Sequence, residues 1–178
     1  MSPSLIWMQK LRVGLRSELK KLQKNLGITT LYVTHDQEEA LTLSDRIAVF
    51  NNGFVEQVGK PYDIYNHSNS EFVCDFIGEI NRLNPVVINE LKRQTNCRLD
   101  ENKSAYIRLE RISLEENSGY GKLSGMIKDY DYNGVMTKYS VDVMGCMLRV
   151  IHINDGMPFL EPGQTLDLYI EPKNIMQF

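Results

Sequence analysis

From residue 79 to the end at Phe178 the sequence runs in short apolar segments separated by turn signals. Asn133-Gly134, Asp155-Gly156 and Pro162-Gly163 are such signals, because glycine accepts positive φ and proline presets a turn. Residues 84–91, 97–99, 105–114, 121–130, 137–144, 147–153 and 165–171 are the strand candidates. Strands this short, with no helix expected between them, must bury their apolar faces against one another. The compact solution is a small all-β barrel over residues 79–178. Residues 79–84 are its expected linker.

Residues 10–78 alternate helix and strand instead, as an α/β segment does. Leu11, Leu15, Leu19, Leu22 and Leu26 recur at three and four residues, which predicts a helix over residues 10–26 with one buried leucine face. Gly27 is a natural stop. Residues 28–35 read as an apolar strand rich in Thr, Tyr and Val. Asp36 can cap a helix over residues 36–43, with Glu38 and Glu39 at its positive end. Residues 46–50 and 54–58 predict a hairpin about Asn51-Asn52-Gly53. Pro61 opens a further helix through Tyr65, and residues 71–77 form another.

The chain has 178 residues, enough for one or two small domains, and a net charge of −3. That charge gives no general attraction to nucleic acid or to an anionic membrane. Lys10, Arg12, Arg16, Lys20, Lys21 and Lys24 sit among helical leucines and are expected on a solvated helix face. Cys74, Cys97 and Cys146 are odd in number and far apart, which points to a reducing cytoplasm and away from a disulfide framework or a zinc site. No apolar run is long enough to cross a bilayer, so any membrane role is expected to run through a partner.

The stretch "LYVTHDQEEALTLSDRIAVFNNGFVEQVGKPYDIYNHSNSEFVCDFIGEINRLN" resembles the C-terminal part of an ABC-importer ATP-binding subunit. The β region resembles the TOBE domain appended to such subunits. Its "AYIRLERISLEE" is similar to a barrel motif written with "IRPE", with Leu109 where proline is common. "FIGEIN" is nearest to the spermidine/putrescine type, and importers of sugar, iron or phosphonate share most of the stretch. The resemblance implies an ABC ATPase segment over residues 1–78 and a regulatory TOBE domain over residues 79–178. It also implies membrane permease subunits as partners, a place at the inner face of the membrane, and ATP with Mg as the cofactors of the intact parent.

Within this resemblance His35 matches the switch histidine. An imidazole at a strand's C-terminal end can donate to a γ-phosphate oxygen and orient a catalytic carboxylate. Asp36 is expected to cap rather than to react, and His67 and His152 are expected to be ordinary loop or strand residues. A phosphate cradle needs G-x-x-x-x-G-K-[ST] after a strand, but Gly59-Lys60 runs into Pro61. The chain by itself is therefore expected to bind no cofactor and to show no ATP turnover.

Residues 1–9, "MSPSLIWMQ", depart from the family, which reads "DEPLSNLDA" before a Lys-Leu-Arg like Lys10-Leu11-Arg12. One synonymous coding of the family peptide, GAT GAG CCC CTC TCT AAT CTG GAT GCA A, reads Met-Ser-Pro-Ser-Leu-Ile-Trp-Met-Gln when shifted by one base. Residues 1–9 are thus expected to be a non-native, out-of-frame reading of the catalytic-glutamate segment, with a designed truncation carrying an unrelated leader as the rival reading. In a chain truncated in this way Leu31, Val33, Ile47 and Val49 are expected to lose neighbours, which favours a homodimer. Tyr106, Tyr120, Tyr130, Tyr132 and Tyr139 are expected to pack rather than to form a ligand cage, with Asp129, Asp131 and Asp142 as solvated acids. No basic stripe interleaves with these aromatics, so nucleic acid is not expected as a partner. An independent ligand-binding OB-like module stands as the alternative to a transport subunit.

Overall fold

The computed structural model describes residues 3–156 and 158–178, with side chains from Gly14 onward. It divides into two compact units after Gly78.

The first unit opens with helix α1 (Pro3–Leu26) and continues through an irregular stretch to α2 (Gln37–Leu43). Strands β1 (Ile47–Asn51) and β2 (Phe54–Gly59) pair as an antiparallel hairpin. Asn52 and Gly53 turn it, both at positive φ, which glycine and asparagine tolerate best. Helices α3 (Pro61–Asn66) and α4 (Glu71–Phe76) complete the unit. Ser70 caps α4 by accepting a hydrogen bond from the Val73 amide at 3.3 Å. The core is small: Ile47, Val49, Ile64, Val73 and Ile77.

Two expectations for this unit fail for want of a covering layer among the described residues, and a third fails because the hairpin finds one. Residues 28–34 form no strand, because no described strand offers them a ladder. Leu15, Leu19, Leu22 and Leu26 are exposed rather than buried on one face, and Leu11 lies among residues whose side chains are not described. Leu31 and Val33 are bare as expected, at 91% and 83% exposure, but Ile47 and Val49 are buried because the hairpin turns them onto α3 and α4.

In the second unit β3 (Ile80–Leu83) occupies the stretch expected to be a linker. It is followed by helix α5 (Pro85–Thr95), where a strand was expected over residues 84–91. The helix wins because Asn84 caps it, accepting from the Val87 amide at 2.8 Å, and Pro85 sits in the first turn. Val87, Ile88 and Leu91 then fall on one buried face. Residues 97–99 form no strand.

The barrel strands follow: β4 (Ala105–Arg108), β5 (Ile112–Ser113), β6 (Gly121–Tyr132), β7 (Met136–Val143), β8 (Cys146–Ile153), β9 (Thr165–Ile170) and β10 (Met176–Gln177). Two sheets result, ordered β10-β4-β3 and β5-β9-β6-β7-β8. A 3-10 turn over Leu109–Arg111 carries the chain from one sheet to the other. β6 is the long bent strand that curls the larger sheet, pairing with β9 through its first half and with β7 through its second. A register shift between Ile127 and Asp129 marks the bend. At Gly125 a Cβ would lie 2.6 Å from Val141 and Val143 and 2.7 Å from the Asp142 carbonyl, so only glycine permits the approach of β6 to β7. The core of this OB-like barrel includes Ile107, Leu123, Ile127, Val141, Leu148, Val150 and Leu168, with α5 packed on it through Val87, Ile88 and Leu91.

Candidate functional site

His35 stands at the bend between the irregular stretch and α2, and it is exposed. What surrounds it is ordered by the start of α2. Asp36 is the N-cap, its Oδ1 accepting from the Glu39 amide at 3.1 Å. Thr34 Oγ1 accepts from the Asp36 amide at 2.9 Å and donates to Glu39 Oε2 at 2.7 Å. Tyr32 donates its hydroxyl to the same oxygen at 3.0 Å. Residues on both sides of His35 are therefore tied to Glu39, Tyr32 and Thr34 through its carboxylate and Asp36 through its amide.

Arg16 on α1 completes the network. It reaches Asp36 at 2.8 Å, Glu38 at 3.2 Å and Glu39 at 3.3 Å. The planar guanidinium can serve several carboxylates at once, which an ammonium cannot do with the same geometry. Partial burial works against the Arg16 charge, but the hydrogen bond to Glu38 and the fields of Asp36, Glu38 and Glu39 raise its pKa overall. The Thr34 hydroxyl, and then that of Tyr32, hold the Glu39 carboxyl below the usual carboxylate range. The Glu39 hydrogen bond, followed by desolvation, raises the Tyr32 phenol. Arg16 was expected on a solvated face. It is instead the hub that pins α2 to α1, a role its place in a leucine-spaced helix does not reveal.

This arrangement leaves His35 exposed beside a braced acidic turn. It does not by itself make a nucleotide site. Gly59 and Lys60 lead into Pro61, which has no N–H to offer a phosphate, at the head of a helix only six residues long. A triphosphate would have to be held by groups other than these.

In the barrel unit one group of polar side chains serves closure. Asn81 on β3 is 3% exposed, and its carboxamide forms a two-way pair with Arg149 on β8. Its Nδ2 donates to the Arg149 carbonyl at 2.8 Å and its Oδ1 accepts from the Arg149 amide at 2.8 Å. The pair substitutes for a backbone ladder between the two sheets. Glu79 adds ion pairs to Lys138 and, at 2.7 Å, to Arg149. Sequence reasoning missed Asn81; the one signal was its place two residues before Leu83, on the same face of a strand. The tyrosines pack: Tyr106 and Tyr139 are buried, and Tyr130, Tyr132 and Tyr139 surround the Phe159 ring, with centroids 4.6, 6.1 and 6.2 Å away. Tyr120 donates to Glu171 at 3.3 Å. Asp142 pairs with Lys128 at 3.7 Å. His152 lies 3.8 Å from Asp155, and in the first unit His67 lies 3.9 Å from Asp63. Among the described residues no cluster of His, Cys, Asp and Glu could hold a metal ion, and no helix is long and apolar enough to cross a membrane.

A comparison with protein-family models finds no match. The spermidine/putrescine import ATP-binding protein of Borreliella afzelii is 38% identical over 176 residues, 93% of this chain and 49% of that protein. The protein of the same name from Acetivibrio thermocellus is 39% identical over 93% of this chain and 49% of its own length. The chain thus spans about half the length of the curated relatives it matches. Among solved structures, the cytoplasmic molybdate-binding protein ModG with molybdate bound is 16% identical, with a TM-score of 0.38, covering 48% of this chain and 67% of that one.

Proposed function

Because this chain belongs to the ABC-importer ATP-binding subunits, related to them along 93% of its length, we propose that it serves polyamine uptake of the spermidine/putrescine type. The observation that carries this reading is the recurrence of one relative by name: proteins from spirochaetes, phytoplasmas and clostridia all match over 93% of the chain. In this reading residues 1–78 are the C-terminal part of the ATP-binding domain and residues 79–178 are the TOBE domain. ATP and Mg are held by the half of the relatives' length that this chain does not match. His35 is the switch histidine, presented to the γ-phosphate, where a hydrogen-bond donor stabilises charge as it develops. The network of Arg16, Asp36 and Glu39 is its brace.

The subunit works at the cytoplasmic face of the membrane through permease subunits, and two copies associate. The bare leucines of α1 and the exposed Phe50, Phe54, Val55 and Val58 of the hairpin support association, since each large apolar side chain buried gains roughly 1.5–3 kcal/mol.

Joining this chain to the unmatched half of the Borreliella afzelii relative gives the test. His35→Ala in that subunit should lose most ATP turnover while nucleotide binding survives. Undiminished turnover in the variant removes His35 from the chemistry.

A further inference from the structure

Between the start of α5 and the loop 101–104 that leads into β4 lies a cleft of about 350 Å³. That is near the lower end of small-molecule sites, roughly 300–1,000 Å³. Leu83 and Ile88 give it an apolar floor, being 5% and 3% exposed. Arg82 and Lys103 stand on its walls, both with exposed side chains and, among the described residues, neither with a carboxylate partner. Arg82 is nonetheless held in place. Its guanidinium carbon lies 5.9 Å from the centroid of the Tyr106 ring, which orients the cation without neutralising it.

The acid that lines the cleft, Glu101, is engaged by Lys92. The neighbouring Asp100 is turned to the Asn102 backbone, whose amide it accepts at 2.9 Å. The cleft is therefore locally positive in a chain whose net charge is −3. Long-range attraction does not explain such a site, and a low-volume apolar floor beside two free cations favours one chemical class. We infer that the cleft binds a small organic anion, its carboxylate or phosphate held by Arg82 and Lys103 and its short apolar segment laid over Leu83 and Ile88. This holds whether or not the chain serves an importer.

Nitrogen-15 NMR of the full chain, titrated with hexanoate, hexyl phosphate, inorganic phosphate and hexylamine, tests it. Hexanoate or hexyl phosphate should give saturable shifts at the amides of Arg82, Asn102, Lys103 and Ser104, and the tighter of the two identifies the headgroup. Inorganic phosphate should bind more weakly and hexylamine not at all. Lys103→Gln, at an exposed position, and the double change Arg82→Gln with Lys103→Gln should each weaken binding, the double change by roughly tenfold or more. The inference is overturned by an absence of saturable shifts at millimolar anion, or by equal binding of hexylamine. It is also overturned by equal binding of inorganic and hexyl phosphate, or by unchanged affinity in a double variant with native dispersion.

Discussion

Asn81→Ala isolates the device that closes the barrel. Asn81 supplies the two-way pair from β3 to β8, with both bonds at 2.8 Å, where no backbone ladder joins the two sheets. Truncation removes both hydrogen bonds and orphans the amide and carbonyl of Arg149. Each bond contributes a net of about 0.5–1.5 kcal/mol, and an orphaned buried group costs about 1–3 kcal/mol. Arg149 is half-buried, so water recovers part of that cost, and the expected loss is about 2–3 kcal/mol. For a domain of this size the midpoint should fall by on the order of 10 °C. Thermal melts measure the midpoint, and urea denaturation followed by circular dichroism and tyrosine fluorescence measures the free-energy loss, with an unchanged slope showing that the native state stays compact. Asn81→Asp should lose at least as much, since a carboxylate can accept from the Arg149 amide but repels its carbonyl. Glu79→Gln is the control: its ion pairs to Lys138 and Arg149 lie at the surface and contribute within about 1 kcal/mol. An Asn81→Ala protein within about 0.5 kcal/mol of the parent would show that side-chain packing alone closes the barrel.

Gly125→Ala should destabilise the barrel by roughly 1–3 kcal/mol, because the new Cβ meets two valines and a backbone carbonyl that cannot all yield; thermal melts of the two proteins measure it. The Glu90 carboxyl is held down to about 2, first by its hydrogen bond to Arg93 and then by that to Gln94. Its contribution to stability is thus fully present above the ordinary carboxylate value near 4.5 and is lost as the pH falls from there toward 2. Glu90→Gln should flatten that part of the stability-versus-pH curve, read by urea midpoints across the window. Replacing Leu19 and Leu22 on α1 by Glu should shift the sedimentation profile toward monomer; an unchanged profile would place association elsewhere in the chain.

The elements that were legible in the sequence are those stabilised locally. Asp36 caps α2 whatever lies around it, because its carboxylate reaches an amide three residues away. Asn52-Gly53 turns its hairpin because the two residues accept positive φ. The alternation of β6, β7 and β8 names their buried faces, because a strand's side chains alternate by its own geometry. The cap-and-proline start of α5 is equally local, at Asn84 and Pro85, although the Val86, Val87 and Ile88 that follow have the composition of a strand. Tertiary structure decided what depends on a neighbour. Residues 28–34 have the composition of a strand, yet a strand exists only where another chain segment accepts its hydrogen bonds. The leucines of α1 have the spacing of a buried face, yet burial requires something to cover them. Arg16 and Asn81 acquire their roles only when α2 and β8 are brought within reach, through contacts separated by 20 and 68 residues. Periodicity states which face of an element is apolar, whereas the partner for that face is a property of the folded chain.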